Sequence, residues 1–162
     1  MNTTQKVIDK FDGTKYKFLS NFYPCKFNYN GIEYSHSEGA FQAQKTLDMN
    51  ERKVVAKLTA SESKRACGKR GLAKLGFRVE LRPDWESVKD QVMYEVVKAK
   101  FTQNPDLAQK LLETGDAELI EGTTWHDNYW GNCTCAKCSG ITGRNQLGKT
   151  LMKVRQELKE NK

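Results

Sequence analysis

Long apolar runs are missing from this sequence of 162 residues, and its N-terminal stretch has no apolar core. A membrane-spanning helix needs about 20 consecutive apolar residues, and a secretion signal needs an apolar stretch of roughly 7–15 residues. We therefore expect no membrane insertion and no secretion, and we expect the protein in the cytoplasm. The length is that of one ordinary domain, so a single domain over residues 1–162 is predicted.

Acidic residues are the scarcer charges in this chain. There are 20 Asp and Glu residues against 27 Lys and Arg residues, which gives a formal net charge of +7. Such an excess favours anionic partners, such as phosphate esters or nucleic acids. The excess is greatest over 52–78, where Glu62 is the one acid among nine basic residues. This stretch is either a phosphate-facing surface or a solvated basic face.

Histidine is rare, with two residues, and the five cysteines form an odd number. In a chain expected in the cytoplasm, this argues against a disulfide framework. Cys133, Cys135 and Cys138 are clustered, and three such thiols can ligate a soft metal. A structural zinc site needs a fourth ligand, for which the sequence offers His126, Cys25 and His36. The sequence leaves open whether these cysteines bind a structural zinc ion or are reduced, unligated thiols.

The strongest local signal is a β-hairpin over 27–34. Apolar and polar residues alternate there around Asn30-Gly31, the dipeptide best suited to a type I′ turn. Ser35 and Ser37 then offer N-caps for a helix to about Asp48. Further helices are predicted over 51–59, 62–72 (capped by Ser61), 85–101 (capped by Asp84), 105–112, and from Asn145 onwards. A short strand over 117–123 precedes a long loop over 124–144, and the predicted class is therefore α+β, helix-rich with a small antiparallel β component.

One face of the first predicted helix carries Glu38, Gln42 and Lys45. At about 100° per residue these side chains lie within about 60° of one another. The opposite side carries the apolar residues Ala40, Ala43 and Leu47. The polar face is either a solvated surface or the lining of a pocket that offers an acid, an amide and a cation.

Aromatic residues accompany Asn and Asp in two stretches, at 17–24 and at 125–130. This combination suits recognition of a planar base, because stacking of a base on an aromatic ring contributes about 1–3 kcal/mol. The alternative is that these rings belong to the hydrophobic core.

Five sequence stretches occur in order over 18–158, and none of them is specific alone. They are FLSNFYP, EYSHSEGAFQAQK, RPDWESVKDQVMYEVVKAKF, LIEGT followed by DNYWG, and GRNQLGKTLMKVR. Together they resemble the NADAR family of YbiA-like N-glycosidases. The resemblance implies a helix-rich α+β fold and hydrolysis of an N-glycosidic bond between a phosphorylated ribose and a base-like amine. Family members are associated with ADP-ribose removal from modified nucleobases and with riboflavin-pathway intermediates.

Cleavage of a ribosyl C–N bond builds positive charge on the sugar, so the site needs an anion, a base for water and a donor for the leaving nitrogen. Glu38 matches the acid of the family motif S-E-x-x-F-Q-x-x-K and is the predicted catalytic carboxylate. Asp127 matches the acid before the family's aromatic-W-G element. It is the predicted second base or ribose-hydroxyl acceptor, with a loop-organising Asx turn as the alternative.

The resemblance also implies a set of substrate-binding residues: Asn21, Gln42, Lys45, Trp85, Lys89, Trp130, Arg144 and Asn145. Trp85 and Trp130 match family tryptophans and could wall the base, although Trp85 also begins an apolar helix stripe. Lys45 and Lys89 could contact phosphate. Residues 143–149 lie at a predicted helix N-terminus, where free amides and cations can hold an anion.

The predicted function is an N-glycosidase that requires no cofactor for catalysis. Its substrate is a ribosyl-5′-phosphate or ADP-ribosyl compound, such as a riboflavin-pathway ribosylaminopyrimidine phosphate or ADP-ribosylated guanine in DNA, with DNA then the substrate carrier. The alternative is a zinc-stabilised nucleic-acid-binding module without hydrolytic activity, suggested by the basic stretch and the cysteine cluster. The sequence indicates no oligomeric state.

Overall fold

Seven α-helices and three two-stranded sheets form the regular structure of residues 6–161, the part of the chain that the computed structural model describes. The helices are α1 (Gly13–Tyr16), α2 (Ser37–Ala43), α3 (Met49–Val55), α4 (Ala60–Ala66), α5 (Trp85–Gln103), α6 (Pro105–Glu113) and α7 (Gln146–Glu160). The strands are β1 (Val7–Ile8), β2 (Phe27–Tyr29), β3 (Ile32–Tyr34), β4 (Glu118–Leu119), β5 (Gly122–Thr123) and β6 (Asn132–Cys133). The predicted helix-rich α+β class is confirmed.

The chain divides into two compact units, Asn21–Asn104 and Met1–Ser20 with Pro105–Lys162. A single domain over residues 1–162 stays a prediction, and residues 1–5 and 162 lie outside the described part. Among the described helices, none combines the length and the apolar character that a membrane span requires.

The predicted hairpin is present in the first unit as the antiparallel pair β2–β3, with Phe27 opposite Tyr34. Asn30 and Gly31 have φ values of 50° and 81°. Both are therefore in the left-handed region that a type I′ turn requires. Among the strands of residues 6–161 this hairpin is the antiparallel pair, and the pairs β1–β4 and β5–β6 are parallel.

Helix α2 differs from the prediction at both ends. Its N-cap is His36, whose side chain accepts a hydrogen bond from the Gly39 N–H, and neither Ser35 nor Ser37 takes that position. The helix ends at Ala43 and not near Asp48. The helix does not continue beyond this point, because the carbonyls of residues 44–46 accept hydrogen bonds from Arg82 and Arg52 and not from the next helical turn.

The early end of α2 also changes two neighbouring features. Leu47 is 61% exposed and does not join the apolar face of α2. Asp48 caps α3 by accepting hydrogen bonds from the N–H groups of residues 50 and 51. The cap of α4 is Thr59 in a capping box with Glu62, not Ser61, so the local cap with two reciprocal hydrogen bonds prevails.

Helix α5 begins at Trp85 as predicted and extends to Gln103. Asp84 occupies its N-cap position, but the carboxylate makes no capping hydrogen bond and instead pairs with Arg82. Helix α2 packs against α3, α4 and α5, and all seven α2 residues are buried. The core of this unit therefore surrounds the helix that carries Glu38 and Gln42.

In the second unit, α7 packs against α6 and β4. Its side chains Leu147, Leu151 and Val154 are buried and form one apolar stripe. The predicted strand over 117–123 is two short strands, β4 and β5, which pair in parallel with β1 and β6. The predicted loop over 124–144 contains β6 and a 3₁₀ helix, Ala136–Cys138.

Candidate functional site

The polar face of α2 is buried. Glu38 is 8% exposed and Gln42 is 6% exposed, which rules out the solvated-surface alternative for this pair. The Gln42 side chain donates a hydrogen bond from Nε2 to Oε1 of Glu38 over 2.9 Å. The i,i+4 spacing that suggested a common face therefore places a carboxyl and an amide in direct contact inside the unit.

Burial raises the pKa of the Glu38 carboxyl, because desolvation disfavours its charged form. The hydrogen bond from Gln42 and the positive charges of Lys64 and Lys45 oppose this shift without cancelling it. A carboxyl with a raised pKa takes up and releases protons closer to neutral pH, as a general acid or base must.

Lys45 shows the complementary shift. Burial lowers the pKa of its ammonium group, and the negative charge of Glu38 opposes this effect. The Lys45 Nζ lies 5.8 Å from the centroid of the Trp85 ring, within the range of a cation–π contact. Burial therefore moves the pKa values of Glu38 and Lys45 towards each other, a pattern that is common at functional sites.

The Gln42 side chain also carries an amide oxygen, Oε1. Among residues 6–161, no protein group donates a hydrogen bond to this buried atom. An unsatisfied buried acceptor destabilises a fold by about 1–3 kcal/mol, and such groups are rare in native proteins. Gln42 thus uses its amide nitrogen to hold Glu38 and keeps an acceptor for another donor.

Asn21 holds the start of α2. Its carbonyl accepts from the Glu38 N–H over 2.9 Å, and its Oδ1 accepts from the Ser37 hydroxyl over 2.9 Å. Its Nδ2 donates to the sulfur of Met93 over 3.5 Å. The structure therefore gives this buried side chain a positioning role, and direct substrate contact by Asn21 stays a prediction.

His36 and Gly39 are structural parts of this site that the sequence did not reveal. The His36 Nδ1 accepts from the Gly39 N–H over 2.9 Å, and Nε2 lies 3.0 Å from the Leu58 carbonyl. These partners place the ring proton on Nε2. A Cβ at Gly39 would lie 2.6 Å from Cε1 of His36, so the ring can cap α2 only because residue 39 is glycine.

Trp85 and Lys89 are both engaged within the same unit. Trp85 is 5% exposed and packs on Phe41 with ring centroids 5.1 Å apart, which supports its packing alternative. The Lys89 Nζ lies 2.5 Å from Oε2 of Glu86. Substrate contacts by Trp85 and Lys89 stay predictions.

In the second unit, Asp127 organises its loop. Its Oδ1 accepts hydrogen bonds from the N–H groups of Tyr129 and Trp130, over 3.0 and 2.9 Å. This is the Asx-type turn that the sequence offered as the alternative. A catalytic role for Asp127 stays a prediction.

Tyr129 lies between two of the predicted binding residues. Its ring meets Trp130 edge-on, with centroids 4.8 Å apart, and the Arg144 guanidinium lies 5.3 Å from its centroid. Trp130 is half-buried and Arg144 is exposed. Their contact with substrate stays a prediction.

The N-terminus of α7 corrects one expectation. The N–H groups of residues 144–147 donate to the carbonyls of residues 128–131, over 2.7–3.2 Å. The expectation of free amides at residues 144–147 is therefore wrong, because these donors are already satisfied within the protein. Anion binding by the basic residues of this stretch stays a prediction.

Asn145 is likewise committed to the fold. Its side chain donates to the Leu119 carbonyl over 2.8 Å and accepts from the Glu121 N–H over 2.9 Å. The side chain is 8% exposed and makes no capping hydrogen bond to α7. The expectation that Asn145 caps α7 is corrected, because both of its polar ends tie α7 to the end of β4. Substrate contact by Asn145 stays a prediction.

Four potential metal ligands gather in the same unit: His126, Cys133, Cys135 and Cys138. Their ligand atoms all lie within 4.8 Å of one another. Cys25 and His36, the other sequence candidates for a fourth ligand, are not part of this cluster among the described residues. Burial raises the pKa of the Cys133 thiol, but hydrogen bonds from Cys135 and from the His126 N–H outweigh burial and bring it to about 6.

The basic stretch over 52–78 is mostly exposed, yet several of its charges have partners. Arg52 is buried and donates from Nε to the Thr46 carbonyl. Lys74 pairs with Glu62, and the Arg78 guanidinium donates to the carbonyls of 69 and 70. The choice between a phosphate-facing surface and a solvated face stays open.

Comparison with known proteins identifies the relatives of this chain. The NADAR domain profile matches residues 9–159. N-glycosidase YbiA of Escherichia coli K12 is 37% identical over 156 residues, which cover 95% of this chain and 90% of YbiA. An N-glycosidase of Nostoc punctiforme is 34% identical over 144 residues, covering 89% of this chain and 86% of that protein.

Two further comparisons concern a longer relative and a solved structure. A riboflavin biosynthesis protein of Vibrio vulnificus is 37% identical over 145 residues, covering 89% of this chain, but this chain spans 36% of that protein's length. The NMR structure of E. coli YbiA matches with a TM-score of 0.77 at 33% identity, covering 98% of this chain and 89% of YbiA.

Proposed function

The chain belongs to the NADAR family, and we propose on that premise that it is an N-glycosidase. It would hydrolyse the C–N bond between a phosphorylated ribose or ADP-ribose and a base-like amine. Relatives are named N-glycosidases, which are hydrolases acting on N-glycosyl compounds. Within this chain, the observation that carries the proposal is the buried Glu38 carboxyl held by Gln42.

The proposed chemistry assigns a role to each of the three polar groups on the α2 face. As the C–N bond breaks, positive charge develops on the sugar, and ionised Glu38 stabilises it in a site of low dielectric. Because its pKa is raised, Glu38 also accepts a proton from the attacking water and then passes it to the leaving nitrogen, so that the free ribose and the free amine are released. Oε1 of Gln42 accepts a hydrogen bond from the water or from a ribose hydroxyl, and Lys45 supplies a cation for the phosphate.

Two substrates share this chemistry, and the proposal includes both. A riboflavin-pathway ribosylaminopyrimidine phosphate is supported by relatives named riboflavin biosynthesis proteins. An ADP-ribosylated guanine in DNA is supported by the net charge of +7, which favours a large anionic partner. We propose catalysis without a metal or other cofactor, in the cytoplasm.

The test is to incubate the protein with each substrate and to measure the freed ribose product. We expect release with at least one of them, and a Glu38→Gln variant should lose about 10²- to 10⁴-fold in turnover, the contribution of a positioned acid–base group. Glu33→Gln is the matched control, because Glu33 is an exposed glutamate of β3 in the same unit and should retain normal turnover.

Near-normal product release by Glu38→Gln would remove Glu38 from the mechanism. The family membership favours hydrolysis over the nucleic-acid-binding alternative. Salt-sensitive binding to unmodified DNA or RNA, with no product from either substrate, would instead favour a binding module, because phosphate contacts release counterions.

A further inference from the structure

A segment of the second unit brings three thiols and one imidazole together. His126 Nδ1 lies 3.3 Å from the Cys135 sulfur and 3.4 Å from the Cys138 sulfur, and all four ligand atoms, including that of Cys133, lie within 4.8 Å of one another. We propose that these four residues bind one zinc ion in a structural site, which goes beyond the proposed N-glycosidase function.

The spacing of the four atoms suits tetrahedral coordination. With Zn–N near 2.0 Å and Zn–S near 2.3 Å, a tetrahedral site places nitrogen about 3.5 Å from each sulfur and the sulfurs about 3.8 Å apart. The two nitrogen–sulfur distances of 3.3 and 3.4 Å are close to this value. The side chains therefore need only small movements to surround one ion.

The backbone presents these ligands from separate short elements. Cys133 lies on β6, which pairs with β5, and Cys135 and Cys138 begin and end the turn of the 3₁₀ helix. His126 has a φ of 67°, a left-handed conformation that is uncommon for residues other than glycine. In this backbone conformation the His126 ring lies beside the Cys135 and Cys138 thiols.

Asn128 supports the cluster from outside the ligand set. Its Nδ2 donates to the Cys138 sulfur over 3.4 Å, and its Oδ1 accepts from the Cys133 N–H over 2.8 Å. Hydrogen bonds of this kind orient metal ligands and tune their basicity. A single amide side chain thus fixes two of the three cysteines.

The ligand chemistry favours zinc in a structural role. Three sulfurs and one imidazole nitrogen in a tetrahedral arrangement suit Zn²⁺, and four protein ligands leave no open position for water or substrate. Each thiol releases its proton on binding, so three thiolates and one neutral imidazole hold the ion. The ion would fix the segment whose carbonyls, at 128–131, satisfy the first N–H groups of α7.

The first experiment measures bound metal in the full-length protein, purified under reducing conditions without added metal. We expect about one zinc per chain. Replacement of zinc by Co²⁺ should give the visible bands of tetrahedral cobalt and a thiolate charge-transfer band. Protein that binds neither metal in this geometry overturns the proposal.

Matched variants identify the ligands, because two cysteines lie outside the cluster. Cys25→Ser and Cys67→Ser should keep full zinc content, whereas Cys135→Ser and His126→Ala should lose it. Asn128→Ala should weaken zinc binding about 10- to 100-fold, the usual effect of losing a supporting hydrogen bond. Equal loss of zinc in Cys25→Ser and Cys135→Ser would overturn the ligand assignment.

A measurement on the wild-type protein avoids any variant that fails to fold. With a thiol reagent, three of the five cysteines should react slowly until zinc is chelated, and then quickly. Equal rates before and after chelation contradict the proposal. Glu38 is not part of the cluster. A result that contradicts the zinc proposal would therefore leave the N-glycosidase proposal unaffected.

Discussion

Two polar regions of this protein treat their hydrogen-bonding groups in opposite ways. The α2 face buries a carboxyl whose pKa is raised by desolvation and an amide oxygen to which no group in the described part of the chain donates a hydrogen bond. In the loop that joins Asp127 to α7, the N–H groups of residues 144–147 instead donate to the carbonyls of residues 128–131. The difference agrees with our proposal that the first region performs chemistry, whereas the contacts of the second are architectural.

The difference also separates the residues of the family motifs. Glu38 and Gln42 are held in place, but the Glu38 carboxyl and the Gln42 Oε1 stay available to a substrate. Burying such groups lowers the stability of the fold, which is common at functional sites. Asp127 and Asn145 come from equally recognisable motifs. The contacts of Asp127 form a turn, and those of Asn145 connect α7 to β4. A motif match alone therefore does not distinguish a catalytic residue from a positioning residue.

Removal of the zinc ion is expected to have the largest effect on stability. A metal present at about 1,000 times its Kd adds about 4 kcal/mol to the free energy of unfolding. For a chain of this size each kcal/mol corresponds to about 2–4 °C in Tm. Calorimetry should therefore show Tm falling by roughly 8–16 °C on chelation, with the same change absent in Cys135→Ser. An unchanged wild-type Tm contradicts a structural role for the metal.

Asn145→Ala tests the architectural side of the comparison. It leaves the Leu119 carbonyl and the Glu121 N–H without their partner, and each such group costs about 1–3 kcal/mol. We expect a loss of about 3 kcal/mol in urea unfolding with an unchanged KM. A raised KM at normal stability would instead support substrate contact by Asn145.

Gly39→Ala tests the tightness of the α2 cap. The new methyl group would lie 2.6 Å from Cε1 of His36, and such overpacking costs about 1–3 kcal/mol. The double variant His36→Ala/Gly39→Ala removes the clash, so the two losses should not add. Additive losses in a double-mutant cycle would show that the ring and the glycine are not coupled.

The pH dependence sharpens the chemical side. Activity needs Glu38 ionised and Lys45 protonated, so the pH–rate profile should be bell-shaped. Its acid limb should lie above the ordinary glutamate pKa of 4.5, and its alkaline limb below the ordinary lysine pKa of 10.5. Lys45→Arg should move the alkaline limb to higher pH. An acid limb at or below pH 4.5 would exclude Glu38 as the titrating group.

Stability should show a smaller effect of the same carboxyl. Because the pKa of Glu38 is higher in the folded state, the folded protein binds the proton more strongly than the unfolded chain. Its contribution to stability is therefore greatest at low pH and falls as pH rises from about 4.5 through the folded pKa. Relative to wild type, Glu38→Gln should gain stability over that range, which urea unfolding at several pH values measures.

Local signals in the sequence were enough for several elements. Asn30-Gly31 predicts a type I′ turn from two residues, and the start of α5 at Trp85 follows from adjacent residues. The family was also predictable from ordered motifs, and the comparisons confirm it. These features depend on neighbouring residues or on motif order, which a sequence displays directly.

The remaining differences arise from contacts distant in sequence. The end of α2 depends on Arg82, whose backbone N–H donates a hydrogen bond to the Lys45 carbonyl. The His36 cap depends on the Leu58 carbonyl, which holds the ring. The choice of His126 over Cys25 as a fourth ligand required three-dimensional proximity. A signal for the cap was nevertheless present, since His36 precedes Gly39 by the three residues that a capping contact spans.

The turnover number of Glu38→Gln, set beside that of Asn145→Ala on the same N-glycoside, tests the central claim most directly. We predict that Glu38→Gln loses about 10²- to 10⁴-fold in kcat with its Tm retained or raised, because a buried charge is removed. Asn145→Ala should have a lower Tm than wild type but a normal kcat at a temperature where the variant is folded. Normal kcat in Glu38→Gln, or a comparable loss in folded Asn145→Ala, would contradict the division between chemistry and architecture.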